Sequence, residues 1–291
     1  VSVLSGHVGG ANELTRDLAT LLGAEAVIST QTDNTGLWAL DLFSRHYGWS
    51  TRTNAPNLNL PIARYTNRER TALLLEVKDK GTFELERTKA DHVDLFYSRE
   101  ELTARLADYA LVLVVSPQRF DTGDTPCIQF IPKVLALGLG CRYQCDPTDI
   151  VDHILGEVSR LGFYPEAIGK LTTIDLKKDE PLLKELAERL QVSPLIYTAE
   201  ELKDVEVLSP SQKVFEVTGV WGVAESTSRY AASLGSIVLP KQKGMVHPGN
   251  DFTFALAIER GAERRGHIEI IGAGPGDPDL ISIRGRAFLE V

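Results

Sequence analysis

Tyr109-Ala110-Leu111-Val112-Leu113-Val114-Val115 is an unbroken apolar run of strand length. A strand with one wet face alternates apolar and polar residues. An uninterrupted run belongs instead to a strand covered on both faces, as in parallel sheets flanked by helices. Such a sheet needs strands that alternate with amphipathic helices, and the chain supplies them along most of its length. The fold class read from this pattern is α/β: two open, mainly parallel sheet domains with helices packed on the sheets.

The alternation starts at the amino end. Leu4-Ser5-Gly6-His7-Val8-Gly9-Gly10-Ala11-Asn12-Glu13-Leu14 reads as the end of a buried strand, a glycine-rich turn holding one histidine, and the start of a helix. Ala11, Leu14, Leu18, Leu21 and Leu22 make one apolar stripe, Gly23 stops the helix, and Ala26 to Thr30 reads as the next strand. Glycines in such a turn let the backbone approach a ligand, and the free N–H groups of the helix start can hold an anion. A tight turn with His7 as a capping residue fits the same letters. A βα unit at the edge of a chain lacks covering neighbours, so further chain is expected upstream.

Thr32-Asp33-Asn34-Thr35 precedes Leu37, Leu40 and Phe43 and predicts a helix ending near Gly48. Trp38 and Trp49 are expected in a core rather than on a ligand platform. Residues 50–61, with Asn54, Pro56, Asn57, Asn59 and Pro61, read as a connector. Leu73 to Val77, Thr82 to Leu85 and Val93 to Phe96 read as short strands, the first two joined by a turn at Lys78-Asp79-Lys80-Gly81. Ser98-Arg99-Glu100-Glu101 has the form of a capping box opening a helix through Asp108. Pro117 to Pro132 is polar and irregular, which places a domain boundary there.

A second α/β unit follows. Val134 to Leu139 reads as a strand running into Gly138-Leu139-Gly140-Cys141-Arg142, and Asp146-Pro147 is expected to cap a helix. Leu171 to Leu176 and Pro194 to Tyr197 read as strands around a helix from Glu180 to Gln191. Gly219-Val220-Trp221-Gly222-Val223-Ala224-Glu225 leads into a helix, and Ser236 to Leu239 and Phe252 to Ile258 close the unit as strands. Ligands of open sheets sit outside the carboxyl ends of the strands. Four polar clusters fall at such ends: His7, Cys141-Arg142, Thr172-Thr173-Ile174-Asp175 and Lys241-Gln242-Lys243.

Composition removes several classes of function. Lysine and arginine total 31 against 40 aspartates and glutamates, a net charge of −9, and no basic stripe carries interleaved aromatics, so nucleic acid is not an expected partner. No apolar run reaches membrane-spanning length, and no signal peptide is visible. Three cysteines in 291 residues argue against a disulfide framework and for a cytoplasmic location. Cys141 and Cys145 stand C-x-x-x-C with no matching His or Cys pair, so no protein metal site is expected.

The motifs quoted above resemble the CbiG family of the anaerobic route to cobalamin, the cobalt-precorrin-5A hydrolases. The resemblance rests on Leu4–Leu14, Gly138-Leu139-Gly140-Cys141-Arg142, Thr172-Thr173-Ile174-Asp175-Leu176-Lys177 and Leu239-Pro240-Lys241-Gln242-Lys243, in the order the family expects. It implies that 1–34 is the end of the family's N-terminal domain, 35–128 its middle region and 129–262 its C-terminal α/β domain. Two features depart from the pattern. Most of the N-terminal domain does not precede the first motif, and Trp221 interrupts the usual glycine-rich start of the late helix. His267-Ile268-Glu269-Ile270-Ile271-Gly272-Ala273-Gly274-Pro275-Gly276-Asp277-Pro278 resembles instead the opening of tetrapyrrole methyltransferases of the precorrin-4 type. Residues 263–291 are thus expected to begin a fused methyltransferase domain, and S-adenosylmethionine would belong to the rest of that domain.

What the resemblance implies is opening of the δ-lactone of cobalt-precorrin-5A to give cobalt-precorrin-5B, with release of acetaldehyde. The substrate, a cobalt-corrinoid small molecule, carries the cobalt, and the hydrolase needs no cofactor of its own. A homo-oligomer is compatible with the sequence. The alternative is a non-catalytic tetrapyrrole-binding or hand-over module fused to a precorrin methyltransferase. For the base the first candidate is His7, with Asp175 and Glu225 as carboxylate alternatives. Turn capping or core hydrogen bonding would occupy the same residues without chemistry. Backbone N–H groups at Gly9, Gly10 and Ala11 are candidates for an oxyanion, with Ser5, Gly6 and Asn12 beside them. Arg142, Lys177, Lys241 and Lys243 are candidate clamps for substrate carboxylates, with Cys141, Thr172 and Thr173 lining the same edge.

Overall fold

A computed structural model describes residues 11–26, 37–249 and 251–264. The turn containing Ser5, Gly6, His7, Gly9 and Gly10, the strand expected at 26–30 and the methyltransferase-like segment from 267 lie wholly or almost wholly outside the described residues. The first helix, α1 (Ala11–Leu22), is where the apolar stripe predicts it. Its stripe is not a core face among the described residues, however, and Leu21 is 83% exposed while Ala19 on the same helix is buried.

The first sheet has the strand order β1-β5-β4-β2-β3, with β1 Ser50–Thr53, β2 Thr71–Leu75, β3 Val93–Phe96, β4 Leu111–Val115 and β5 Cys127–Ile131. β4 lies at its centre with every residue buried, as the apolar run requires. The sheet corrects three expectations. Thr82 to Leu85 is not a strand but part of α4 (Lys80–Thr88), because Asp79 and Thr82 form a reciprocal capping box that starts a helix there. Residues 50–61 hold β1 and the start of α3 (Asn59–Thr66), so they are not a plain connector. The span 117–132 is not irregular throughout, since Cys127 to Ile131 pairs in parallel with β4 and is fully buried. Leu40 to Leu42 forms a 3-10 turn that runs into α2 (Phe43–Tyr47), which Gly48 ends with φ 70°. Trp49 is buried in the core as expected, and its indole N–H donates to Asp79 at 2.7 Å. Ser98 caps α5 (Arg99–Thr103) by accepting from the Glu101 N–H.

The chain enters the second sheet between Ile131 and Leu135. Its order is β8-β7-β6-β10-β9, with β6 Leu135–Cys141, β7 Ile168–Ile174, β8 Pro194–Tyr197, β9 Ile237–Met245 and β10 Asp251–Ile258. Among the described residues five of the eight strand pairings are parallel and three antiparallel. The architecture is the expected α/β one, with mixed edges supplied by β1 and by the β9–β10 hairpin. The helix predicted at Asp146-Pro147 begins later, as α6 (Ile150–Arg160), because the Asp146 carboxylate takes the Thr148 N–H and hydroxyl in a turn of its own. α7 (Pro181–Leu190) covers the same sheet, followed by α8 (Ala199–Leu202), α9 (Gln212–Thr218) and α10 (Val223–Ala231).

One apolar cluster contains side chains of both sheets, from Leu73 and Phe130 to Leu137 and Phe254. Backbone bonds bridge the units as well, with Tyr164 N–H donating to the Pro117 carbonyl at 2.9 Å and Lys78 N–H to that of Ala262 at 2.9 Å. Among the described residues no helix is long and apolar enough to cross a membrane.

α10 positions everything at the carboxyl edge of the second sheet. A β-carbon built on Gly138 would collide with the Ala224 carbonyl oxygen, and one on Gly140 would meet Thr253 Oγ1 at 2.8 Å. Gly138 thus serves close helix–strand packing, and Gly140 makes room for Thr253 of β10. The facing helix residues are small, and their buried hydroxyls are satisfied within the helix: Ser226 donates to the Gly222 carbonyl at 2.7 Å and Thr227 to that of Val223 at 2.8 Å. Gly138→Ala is expected to destabilise the fold by about 1–3 kcal/mol through overpacking. Gly156→Ala, at an exposed helix position with open space for a β-carbon, is expected to stabilise it by about 0.5–1 kcal/mol. Urea denaturation of the two variants checks both signs.

Candidate functional site

β6, β7 and β9 point the same way, because β6 and β9 both pair antiparallel with β10 while β7 runs parallel to β6. Their carboxyl ends bring together three of the four predicted clusters: Cys141-Arg142, Thr172 to Asp175 and Lys241 to Lys243. Thr253 lies opposite both Gly140 and Lys243, so alternation puts Lys243, Thr253, Gly140 and Arg142 on one face of the sheet. That face is the one α10 packs on, as the neighbours of Gly140 show. The amino end of α10, at Val223, therefore lies beside this edge.

The four predicted clamp residues fall into two kinds. Lys241 and Lys177 are used by the fold. Lys241 sits at a β-bulge of β9, its N–H donating to Glu225 Oε1 at 2.8 Å and its ammonium donating to the Ser209 carbonyl. Burial pushes its amine below the usual lysine range, opposed by the nearby Glu225 carboxylate. Lys177 donates to Glu180 Oε1 at 3.1 Å, and Glu180 is itself buried, with its other oxygen accepting from the Cys145 N–H at 3.2 Å. Arg142 and Lys243 remain accessible. Arg142 reaches the Gly249 carbonyl at 3.3 Å and the exposed Asp251 carboxylate at 3.6 Å. Lys243 is exposed and has no ion-pair partner among the described residues. It borders a depression of about 370 Å³ with Met245, Asp251 and Thr253.

The carboxylate candidates also separate. Glu225 is 0% exposed, and its second oxygen accepts from the Ser209 N–H at 2.8 Å, so both oxygens are committed to backbone donors. It ties α10, the bulge of β9 and the segment before α9 together, the core hydrogen-bonding role rather than that of a base open to solvent. Asp175 is exposed at the end of β7, with Oδ1 accepting from the Leu176 N–H at 2.8 Å.

Thr172 and Thr173 are buried and donate to β6 carbonyls, Thr172 to Leu137 at 3.3 Å and Thr173 to Leu139 at 2.7 Å. Neither hydroxyl faces solvent, so they build the wall rather than reach from it. Cys141 lies near Cys145, and burial first, then Glu180 and Cys145, pushes its thiol up to about 12. Ala11 and Asn12 open α1, and the rest of that glycine turn is outside the described residues.

One feature of this edge is absent from the candidates read from the sequence. Trp221 stacks on Phe215 with ring centroids 4.4 Å apart and planes 21° from parallel, and the two are 41% and 39% exposed. The Ser211 N–H donates to the Trp221 carbonyl at 2.9 Å, joining this platform to the segment that Glu225 anchors. The interrupted glycine pattern at Trp221 was the signal available in the sequence. Its partner six residues earlier carries none.

The second unit is thus an open α/β sheet with exposed cations and an aromatic face at its carboxyl edge. Comparison with known proteins is more specific. Residues 135–257 match the family described as cobalamin synthesis G C-terminus, 38–132 the cobalamin biosynthesis central region, and 1–33 the cobalamin synthesis G N-terminal family. The chain belongs to the CbiG family. It is 32% identical over 247 residues to the cobalt-precorrin-5A hydrolase of Priestia megaterium, covering 84% of this chain and 65% of that protein. To the cobalt-precorrin-5A hydrolase of Salmonella typhimurium it is 29% identical over 244 residues, covering 82% and 66%. The chain thus spans somewhat under two thirds of the length of these relatives. The crystal structure of CobE, a protein from the cobalamin biosynthetic pathway, aligns with 44% of this chain and 92% of its own at 28% identity and a TM-score of 0.39.

Two measurements test this geometry. Glu225→Ala leaves two partly buried backbone N–H groups without their acceptor and is expected to cost about 2–3 kcal/mol in urea denaturation, with Glu225→Gln, which keeps one acceptor, between it and the parent. Cys127 and Cys141, both pushed up to about 12 mainly by burial, stay thiols at neutral pH. Because the thiolate is the reactive form, alkylation by iodoacetamide at pH 8 is expected to run roughly 100-fold or more slower in the native chain than in urea, and to quicken as pH rises.

Proposed function

We propose that this chain acts on cobalt-precorrin-5A as the hydrolytic part of a cobalamin-pathway enzyme, opening the δ-lactone and releasing acetaldehyde to leave cobalt-precorrin-5B. The observation that carries this reading is the 32% identity to the Priestia megaterium hydrolase over 84% of the chain. The carboxyl edge of the second sheet supports it by its chemistry. A corrinoid combines a flat apolar ring with peripheral carboxylates. Stacked Trp221 and Phe215 offer a face to the ring, and Arg142 and Lys243 offer charge to the carboxylates.

In this reading water attacks the lactone carbonyl with a base at hand, and backbone N–H groups receive the developing oxyanion. His7 is assigned the base and the N–H groups of Gly9, Gly10 and Ala11 the oxyanion. Asp175, open at the end of β7, is the alternative base, since Glu225 is spent on the fold. Cobalt enters with the substrate. The segment from His267 to Gly285 is read as the start of a fused tetrapyrrole methyltransferase, the partner that would use S-adenosylmethionine.

The test is incubation of the full-length protein with cobalt-precorrin-5A and trapping of acetaldehyde. Release of acetaldehyde is expected, abolished in His7→Ala with binding retained. Trp221→Ala and Lys243→Ala are expected to raise KM about tenfold or more with a smaller change in kcat, since they act in binding. Tight binding without acetaldehyde would replace the hydrolase by a carrier module.

A further inference from the structure

A second concavity lies at the junction of the two sheets, away from the edge described above. This cleft of about 690 Å³ has Arg52, Arg119, Asp152, Tyr164, Glu166 and Arg189 in its walls. Three guanidinium groups meet two carboxylates there, in a chain whose net charge is −9. Arg52 pairs with Glu166, and Arg189 with Asp152 at 3.0 Å. Arg119 is left over, exposed and without an ion-pair partner among the described residues.

Arg119 is nevertheless held in place. Its N–H donates to the Gly162 carbonyl at 2.8 Å, and its own carbonyl accepts from Arg99 at 2.7 Å. Its guanidinium lies over the ring of Tyr164, 5.6 Å from the centroid. That ring is fixed in turn, because the Tyr164 hydroxyl donates to Gln129 Oε1 at 3.0 Å. An arginine seated on an aromatic face keeps its planar N–H edges free for an oxyanion that matches the fork.

Arg119 follows the carboxyl end of β4. Leu155 and Pro165 add apolar wall, which suits an organic anion better than an inorganic one.

We propose that the junction cleft binds a small organic carboxylate, with Arg119 making the central two-pronged contact. This cleft is distinct from the edge that carries Lys243 and does not depend on the function assigned to that edge. The cleft adjoins the loop before the start of β7, whereas Lys243 lies level with its end.

Isothermal titration of the full chain with citrate tests it. Saturable binding that falls with added salt is expected, weakened about 10- to 100-fold in Arg119→Ala. Arg119→Lys keeps the charge but loses the fork. It is expected to weaken binding to a smaller degree, and it decides the matter if the alanine variant does not fold. Lys243→Ala is expected to leave citrate affinity unchanged. Absence of citrate binding, equal binding by the parent and the Arg119 variants, or loss of binding in Lys243→Ala overturns the proposal. A response to inorganic phosphate with none to citrate overturns it too.

Discussion

The carbonyl of Ala224 lies where a side chain on Gly138 would have to be, and the arrangement of the second sheet follows from that approach. A helix this close to a strand must present small residues, hence Ala224, Ser226, Thr227 and Ser228, buried together with Glu225. Burying so many polar groups requires internal partners for each. The hydroxyls find theirs one turn back, while Glu225 finds its partners across the sheet, at the bulge of β9 and in the segment before α9. Helix, hairpin and connecting segment are thereby locked in one register. The aromatic platform inherits its position from this lock.

The same economy sorts the charges at the edge. A lysine or arginine at a strand end belongs to the structure when a buried carboxylate or carbonyl takes its donors, as at Lys177 and Lys241, whereas Arg142 and Lys243 stay exposed. A second arginine-rich surface lies at the junction of the sheets, where Arg52 and Arg189 are paired across short distances and Arg119 is seated on a ring.

Much of the fold was legible from its apolar patterning. The run 109–115 is the central strand β4, and the expected strands near 135–141, 168–174, 194–197 and 251–258 are all present. The misreadings have local causes. Thr82 to Leu85 resembles a strand in composition, but a capping box decides for a helix, and a box built on Asp and Thr is a fainter signal than one built on Ser and Glu. Cys127 to Ile131 hides between turn residues, with Gln129 in its middle, whose side chain is consumed by Gln118 and Tyr164. At the site, strand-end position was readable and side-chain employment was not. Nothing in the letters distinguishes Lys241, bonded to a carbonyl, from Lys243, open to solvent. Arg119 gave no signal at all, because its setting is made by a tyrosine forty-five residues away in the other unit.

The claim that the carboxyl edge of the second sheet receives the corrinoid is tested most directly by hydrogen–deuterium exchange of the full-length protein with and without cobalt-precorrin-5A. Protection by the substrate is predicted across Phe215 to Val223 and Lys241 to Thr253, the segments that carry the platform and the open cation. Protection confined to other parts of the chain, with these segments exchanging as in the free protein, would contradict the account.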